Sequence, residues 1–324
     1  MRYAARLLLC LALAWQPAAA QTASVEKVGI VLMHGKGGRP GPAGLASALR
    51  RAGALVETPE MPWSRGRIYA KSYDDSMVEI DAAVARLRKA GATQIFIAGQ
   101  SMGANAALGY GARREGVAGI MLFAPGHAPG QPGFQGRVAR GVEQARQMLA
   151  QGKGDVRATF PDVNQGQTLS VATTARIYLS WFAPDGPALW PANAAKVRAG
   201  TPVFCADGSS EPNPACPYAT ARLPANPKNK VVRVGAGHMG VADAASGQIL
   251  AWLRGLGVAL GGAAAPVAAT GAPASPSGDR APARKDGQAR KTGRDRGDRS
   301  DRCTAICSSK PNPSKCQLKC QSGG

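Results

Sequence analysis

A Gly-Gln-Ser-Met-Gly segment centred on Ser101 points most directly to covalent chemistry. A buried-strand pattern over residues 94–98 precedes the segment, and a helical pattern follows it. A serine on such a tight strand-to-helix turn is exposed and lies at a helix N-terminus, where backbone N–H groups favour an oxyanion. The motif in this context therefore predicts a nucleophilic serine, with Gly99 and Gly103 giving the turn its space.

Strand patterns and helix patterns alternate along the body of the chain. Runs rich in β-branched and other apolar residues predict strands at 27–33, 54–57, 94–98, 119–123, 201–206 and 231–234. Apolar residues three and four apart predict helices at 41–53, 74–89, 101–114 and 241–256. This alternation predicts an α/β fold with a mostly parallel, doubly wound sheet.

These features resemble the α/β-hydrolase superfamily over residues 25–257. The resemblance rests on the loop His34-Gly35-Lys36-Gly37, the turn around Ser101 and the turn Gly235–Met239. It implies a serine hydrolase of the esterase or lipase type, with Ser101 as nucleophile and with no metal or organic cofactor. The substrate stays open, because the same fold serves esterases, lipases, thioesterases and peptidases.

Three histidines are candidates for the base that activates this serine. His34, His127 and His238 each follow a predicted strand, so a parallel sheet would bring all three to one edge. The superfamily's order along the chain is serine, acid, histidine. Only His238 follows Ser101 with room for an acid between them, which implies His238 as the general base. We expect His127 to make a structural hydrogen bond and His34 to hold its own loop.

The resemblance also implies the groups that would stabilise the oxyanion of a tetrahedral intermediate. They are the backbone N–H of Met102 and the backbone N–H of a residue in the His34 loop, for which we expect Lys36. Gly35 and Gly37 flank Lys36 and would let the loop approach the substrate oxygen closely.

The acid that would orient the histidine has two candidates, Glu211 and Asp207. Superfamily members often carry the acid directly before a proline in the loop after this strand, and Glu211 stands at that position. Glu in place of Asp is a departure, although either carboxylate can orient an imidazole. Asp207, at the end of the predicted strand, stays the rival. Cys205 and Cys216 bracket both candidates and are expected to form a disulfide that stiffens the loop.

The segment 127–200 departs from the alternation of strands and helices. A polar helical pattern covers 137–151, loop-rich sequence follows, and a further helical pattern covers 172–183. We expect the segment to pass over the carboxyl edge of the sheet as a cap. Ordinary helices of the core layer are the alternative, above all for 172–183.

The ends of the chain differ from the domain expected over residues 21–260. Residues 1–20 combine a basic start, a short apolar run and three alanines, which predicts a cleaved signal peptide; a buried N-terminal helix is the alternative. An exported chain of this kind would be periplasmic or secreted. Residues 261–302 are poor in large apolar side chains and predict a disordered basic linker.

Four cysteines stand in the last segment, 303–324. Their spacing places the members of each pair on one helix face and favours a small hairpin stapled by Cys303–Cys320 and Cys307–Cys316. Four cysteines allow three pairings. A zinc site is the alternative, and export favours disulfides over thiolate ligands.

The formal net charge of +20 on 324 residues suggests nucleic-acid binding until the charge is located. By count, the signal carries +2, the domain +11 and the tail from residue 263 onward +7. Export and the lack of aromatic residues among the basic ones argue against nucleic acid. The basic tail would more plausibly meet anionic envelope components, with a merely solvated linker as the alternative. The oligomeric state stays open.

The sequence therefore predicts an exported serine hydrolase that cleaves a small-molecule acyl ester through an acyl-enzyme intermediate. Short or medium acyl chains are expected, because a modest cap and few aromatic residues argue against a large lipid-binding lid. A peptidase or thioesterase of the same superfamily is one alternative. A non-catalytic envelope-binding protein on the same fold is another.

Overall fold

A computed structural model of the protein describes residues 27–38 and 41–260. The expected signal peptide 1–20, the linker 261–302 and the four-cysteine hairpin 303–324 lie outside the described residues. Within the described part, no helix combines the length and the apolar character that crossing a membrane requires.

A six-stranded parallel sheet forms the centre of the described chain. The strands, including a separate hairpin, are β1 Val28–Met33, β2 Leu55–Glu57, β3 Gln94–Gln100, β4 Val117–Phe123, β5 Arg157–Asn164, β6 Gln167–Thr174, β7 Val203–Gly208 and β8 Lys230–Val234. The main sheet has the order β2-β1-β3-β4-β7-β8 and all its pairs are parallel. All six predicted strands are present, and the predicted α/β class with a mostly parallel sheet is confirmed.

Helices cover both faces of this sheet. They are α1 Ala43–Arg51, α2 Tyr73–Lys89, α3 Met102–Gly111, α4 Pro132–Ala150, α5 Ala175–Phe182, α6 Trp190–Ala194, α7 Cys216–Thr220, α8 Val241–Ala244 and α9 Ser246–Gly255. The helix predicted over 241–256 is divided at Ala245 into α8 and α9. Both pieces pack beside α1.

Strand β1 shows how the sequence builds two cores. All of its residues are buried, as expected for a strand with helices on both faces. Successive side chains point to opposite faces, so Ile30 and Leu32 pack in the core of α1 and α9, whereas Val31 and Met33 pack in the core of α2 and α3. The carboxyl end of β1 thereby places His34 next to the turn that follows β3.

The segment after α4 differs from the sequence prediction of loop-rich sequence. Strands β5 and β6 form an antiparallel hairpin, in which Phe160 and Val171 are paired and buried while Leu169 is exposed. Its two-residue turn, Gln165-Gly166, has positive φ at both positions, as a tight hairpin turn requires. Pro161 within β5 weakens the strand pattern in the sequence, because proline cannot donate a ladder hydrogen bond.

Candidate active site

Ser101 occupies the turn between β3 and α3. Its φ of +54° lies in the left-handed region that non-glycine residues rarely adopt. Its N–H donates to the Phe123 carbonyl at 2.9 Å, and its own carbonyl accepts the Gly126 N–H at 3.1 Å. Strand β4 and the loop that follows it therefore hold the turn in a strained conformation, of the kind that accumulates at functional sites.

Two glycines give this turn its space. A Cβ atom added to Gly99 would lie 2.1 Å from the Gly103 carbonyl oxygen, and one added to Gly103 would lie 2.6 Å from the His34 carbonyl oxygen. The His34 loop also lies against the turn, since a Cβ atom on Gly35 would stand 3.2 Å from the Ser101 Cβ.

His238 and Glu211 form a hydrogen-bonded pair at the carboxyl edge of the sheet. His238 begins a short 3₁₀ turn after β8, and its Nδ1 lies 2.5 Å from Oε1 of Glu211. Gln100, beside the serine, donates from Nε2 to the His238 carbonyl at 2.8 Å. The imidazole is therefore held both at its ring and at its backbone.

Asp207, the rival acid, lies elsewhere in the same loop. Its carboxylate accepts the N–H groups of Ala215 at 3.1 Å and Cys216 at 3.0 Å. Burial raises the pKa of this carboxyl. A disulfide joins Cys216 to Cys205 on β7. The Asp207 hydrogen bonds and the disulfide therefore both join the end of this loop to β7, and Glu211 lies within the loop.

The two expected oxyanion donors lie near the serine. Among the described residues, neither the Met102 N–H nor the Lys36 N–H donates a hydrogen bond. Met102 is the first residue of α3, so its N–H has no acceptor within the helix. Gly37, the residue after Lys36, has a φ of +65° and forms the turn in this loop. Both residues therefore offer a backbone N–H that has no acceptor among the described residues.

His34 holds its loop through three hydrogen bonds. Its Nε2 accepts the Met61 N–H at 3.0 Å, its Nδ1 bonds the Gly35 carbonyl at 2.7 Å, and its own carbonyl accepts Trp63 Nε1 at 2.9 Å. Burial lowers the pKa of this imidazole. A neutral ring that donates from Nδ1 and accepts at Nε2 satisfies both contacts.

His127 is buried on the wall of the cavity beside Ser101. Its Nε2 lies 2.8 Å from the Trp181 carbonyl, so that nitrogen is the donor, and its Nδ1 has no hydrogen-bond partner among the described residues. Burial lowers the pKa of His127 well below its ordinary value, and the Lys36 ammonium adds to the effect. The ring is therefore neutral, and its Nε2 is held by the Trp181 carbonyl.

Two cavities meet at the serine. One has a volume of about 420 Å³ and extends to the Glu211 loop, His127 and Phe134. The other has a volume of about 310 Å³ and extends to the start of α1 and to Asp243. Both are lined by Ser101, His238, Lys36, Asn164 and Gln165. The hairpin tip thus borders both cavities where they adjoin the serine.

One ion pair in the site had no signal in the sequence. The Lys36 ammonium is hydrogen-bonded to the Asp162 carboxylate of β5 and lies 2.6 Å from the Val163 carbonyl. Burial lowers the pKa of Lys36, and the Asp162 charge opposes that shift. The pair joins residues 126 positions apart, in a hairpin that the sequence analysis did not predict. Only the tertiary structure could bring them together.

Residues 27–38 and 41–260 contain no cluster of side chains suited to binding a metal ion. No group of three or more histidine, cysteine, aspartate or glutamate side chains there could hold a metal ion. The polar groups gathered around Ser101 suit proton transfer and the stabilisation of negative charge on oxygen.

Comparisons with known proteins find similarity to hydrolases. A family model described as serine aminopeptidase, S33, matches residues 62–170, which include Ser101. No curated protein sequence matches the chain. Three similar solved structures are a carboxyl esterase of Bacillus coagulans, DcsB in complex with a substrate analogue, and a monoacylglycerol lipase of Paleococcus ferrophilus.

The similarity to these structures lies in the fold. The esterase is 16% identical with a TM-score of 0.50, covering 71% of this chain and 91% of its own. DcsB is 14% identical with a TM-score of 0.53, covering 74% and 92%. The lipase is 18% identical with a TM-score of 0.51, covering 70% and 94%.

A parallel sheet that presents a serine on a strained strand-to-helix turn, with helices on both faces, defines a class of α/β enzymes. The chain has the fold of the α/β hydrolases, and its residues 62–170 match the family model described as serine aminopeptidase, S33.

Proposed function

We propose that the protein is a serine hydrolase that cleaves small-molecule acyl esters. Ser101 is the nucleophile, His238 the general base and Glu211 the acid that orients it. The observation that carries the proposal is a single cavity lined by the strained Ser101 and by the hydrogen-bonded pair of His238 and Glu211. Strain at one serine and a carboxylate–imidazole pair in the same cavity are the parts that nucleophilic catalysis needs.

The first half of the reaction forms an acyl-enzyme. The Glu211 carboxylate accepts a hydrogen bond from the Nδ1–H of His238, which leaves the lone pair of Nε2 free to take the proton of Ser101. The serine oxygen then attacks the acyl carbonyl carbon. The carbonyl oxygen becomes an oxyanion, which the N–H groups of Met102 and Lys36 stabilise by hydrogen bonding.

The second half returns the enzyme to its starting state. Collapse of the tetrahedral intermediate breaks the bond to the alcohol oxygen, and the imidazolium of His238 protonates the leaving alcohol. His238 then takes a proton from water, which attacks the acyl-enzyme through its oxygen. The acid leaves, and the proton returns to Ser101.

The two cavities favour esters of modest size. Cavities of about 420 Å³ and about 310 Å³, both lined by Ser101, offer places for the acyl group and the alcohol. Cavities in this range suit small-molecule ligands. The carboxyl esterase and the monoacylglycerol lipase with similar folds support an ester as substrate. Short and medium acyl chains are therefore the proposed range.

A peptidase is the second candidate, because the matching family model is described as serine aminopeptidase. The chemistry of the site would be unchanged, with an amine as the leaving group in place of an alcohol. A thioester would be cleaved by the same steps. The experiment that measures the preferred acyl length also distinguishes among these leaving groups.

A panel of chromogenic esters of graded acyl length, with matched anilides and thioesters, tests the proposal. Wild type should hydrolyse short or medium esters fastest. Ser101→Ala should lose about 10⁴-fold or more of kcat. Ser170→Ala, at an exposed hairpin position, should behave as wild type. Hydrolysis that survives Ser101→Ala undiminished would refute the assignment of the nucleophile.

We also propose that the chain is exported, with its signal cleaved before Gln21. The pattern of residues 1–20 supports this, and so does the disulfide between Cys205 and Cys216, since disulfides persist in oxidising compartments. The mass of the mature protein from a bacterial host tests this proposal. A mass that includes residues 1–20 would contradict it.

The proposed contact of the basic tail is tested by measuring envelope association of the full chain and of a chain ending at 260, each at low and at high salt.

A further inference from the structure

Lys36 carries two separate contacts. Its backbone N–H is the proposed oxyanion donor, while its side chain reaches the β5–β6 hairpin. There the ammonium meets the Asp162 carboxylate and the Val163 carbonyl. The side chains of Lys36 and Asp162 are 9% and 6% exposed, so the ion pair is withdrawn from solvent.

The loop that carries Lys36 is held from two sides. On one side, Gly37 donates its N–H to the Trp63 carbonyl at 2.9 Å, and Trp63 Nε1 donates to the His34 carbonyl at 2.9 Å. On the other side, within the described residues, the Lys36 side chain provides the polar link between the loop and the hairpin.

Asp162 is built to receive the lysine. Its carboxylate accepts the Val163 N–H at 2.6 Å and the Tyr69 hydroxyl at 3.3 Å, in addition to the ammonium. Lys36 Nζ also lies 5.5 Å from the centre of the Phe182 ring and 5.8 Å from that of Tyr69. Buried charges need such complete pairing, so the ammonium has one narrowly defined position.

We propose that Lys36 and Asp162, through their side chains, are positioning residues that fix the oxyanion hole by anchoring its loop to the hairpin. The inference rests on the proposed function and adds to it a link between the cap and the reacting carbonyl oxygen. A donor displaced by a fraction of an ångström binds the ground-state ester almost as before, but stabilises the oxyanion less. The ion pair therefore acts on kcat rather than on KM.

Asp162→Asn and Lys36→Met test this, with Asp155→Asn and Arg176→Met as matched controls. The control pair is an exposed ion pair in the same cap region. The measurements are kcat per active site titrated with a fluorophosphonate, KM for the best ester, and Ki of the trifluoromethyl ketone with the same acyl group.

Each test variant should lose about 10-fold to 100-fold in kcat, somewhat less than deletion of a whole oxyanion donor. KM should change less than about threefold, and the ketone Ki should rise by the factor lost in kcat/KM. The double variant should be no worse than the poorer single variant, because both changes remove one contact. The controls should match wild type.

The inference would be overturned if Asp162→Asn kept the kcat per titrated site and the ketone Ki of wild type while its unfolding midpoint fell. The ion pair would then have a role in folding alone. If Lys36→Met does not fold, Asp162→Asn decides, since its amide keeps the shape of the carboxylate. A wild-type protein inert to both ester and fluorophosphonate would instead overturn the proposed function, and this inference with it.

Discussion

Two carboxylates in one loop have different partners, although both were candidates for the same role. Glu211 lies 2.5 Å from the His238 ring, whereas Asp207 accepts two backbone N–H groups and closes the loop. The proline that follows Glu211 in the sequence favours Glu211 as the acid that orients the histidine. It could not exclude Asp207, because the direction of a side chain in a loop depends on contacts distant in sequence.

Replacement of the two acids should separate their roles. Glu211→Gln should lower kcat/KM by roughly 10³–10⁴-fold, because an amide at this position no longer stabilises the imidazolium or fixes the ring tautomer. Asp207→Asn should lower kcat/KM far less and reduce the free energy of unfolding by about 1–3 kcal/mol. Ester hydrolysis and urea denaturation measure both effects. An inactive Asp207→Asn with a fully active Glu211→Gln would reverse the assignment.

His127 should make stability depend on pH. In the unfolded chain a histidine takes up a proton near pH 6.5, whereas burial holds the pKa of folded His127 well below that value. The unfolded state then binds more protons as pH falls, so stability present above pH 6.5 is lost below it. We expect the free energy of unfolding to drop by about 1–2 kcal/mol from pH 7 to pH 5 on account of this residue.

Urea denaturation at pH 7, 6 and 5 measures this slope. His127→Asn is the matched variant, because Asn tolerates the positive φ at this position. The variant should show a shallower slope than wild type. Some slope should remain from His34, whose pKa burial also lowers. An equal slope in both proteins would show that His127 is not the group that titrates.

Among the elements, the strand-to-helix turn was predictable and the hairpin was not. The turn has a local signature, since a buried strand, two glycines and a helix follow one another directly. The β5–β6 hairpin lacks one, because Pro161 interrupts its first strand and exposed residues fill most of its second. Its buried positions are defined by packing on α4 and α5, which only the folded chain provides. The partner of Lys36 was hidden for the same reason.

A methyl group at Gly99 should disrupt the turn. The added Cβ atom would stand 2.1 Å from a backbone oxygen that cannot move without shifting α3. We expect Gly99→Ala to lower the free energy of unfolding by more than about 3 kcal/mol. Gly136→Ala, in the second turn of α4 with no atom near its added Cβ, should be neutral or stabilise by about 1 kcal/mol. Equal denaturation midpoints for the two variants would contradict this account of the turn.

At the scale of the whole molecule, periodicity predicted the α/β class and the strands, but not their order. The order β2-β1-β3-β4-β7-β8 depends on pairings between segments far apart in the chain, and the sequence patterns carry no record of these. The total charge of +20 is also a poor guide to function, because by count residues 1–20 carry +2, residues 21–262 carry +11 and residues 263–324 carry +7.

Loss of the disulfide should destabilise the domain. Cys205 and Cys216 are eleven positions apart and tie the Glu211 loop to β7. The double variant Cys205→Ala/Cys216→Ala should lower the free energy of unfolding by about 2–4 kcal/mol, in line with the constraint that such a link places on the unfolded chain. Denaturation of the oxidised wild type and the double variant measures this. Identical midpoints would mean that the cysteines are not joined in the folded protein.

Covalent labelling by a fluorophosphonate tests the central claim most directly. The account predicts that folded wild type gains one phosphonyl group, that peptide mapping finds it on Ser101, and that ester hydrolysis is lost in proportion. Ser101→Ala should gain no label, while Ser170→Ala should label as wild type does. A folded wild-type protein that gains no label beside a labelled control hydrolase, or one labelled on another residue, would contradict the account.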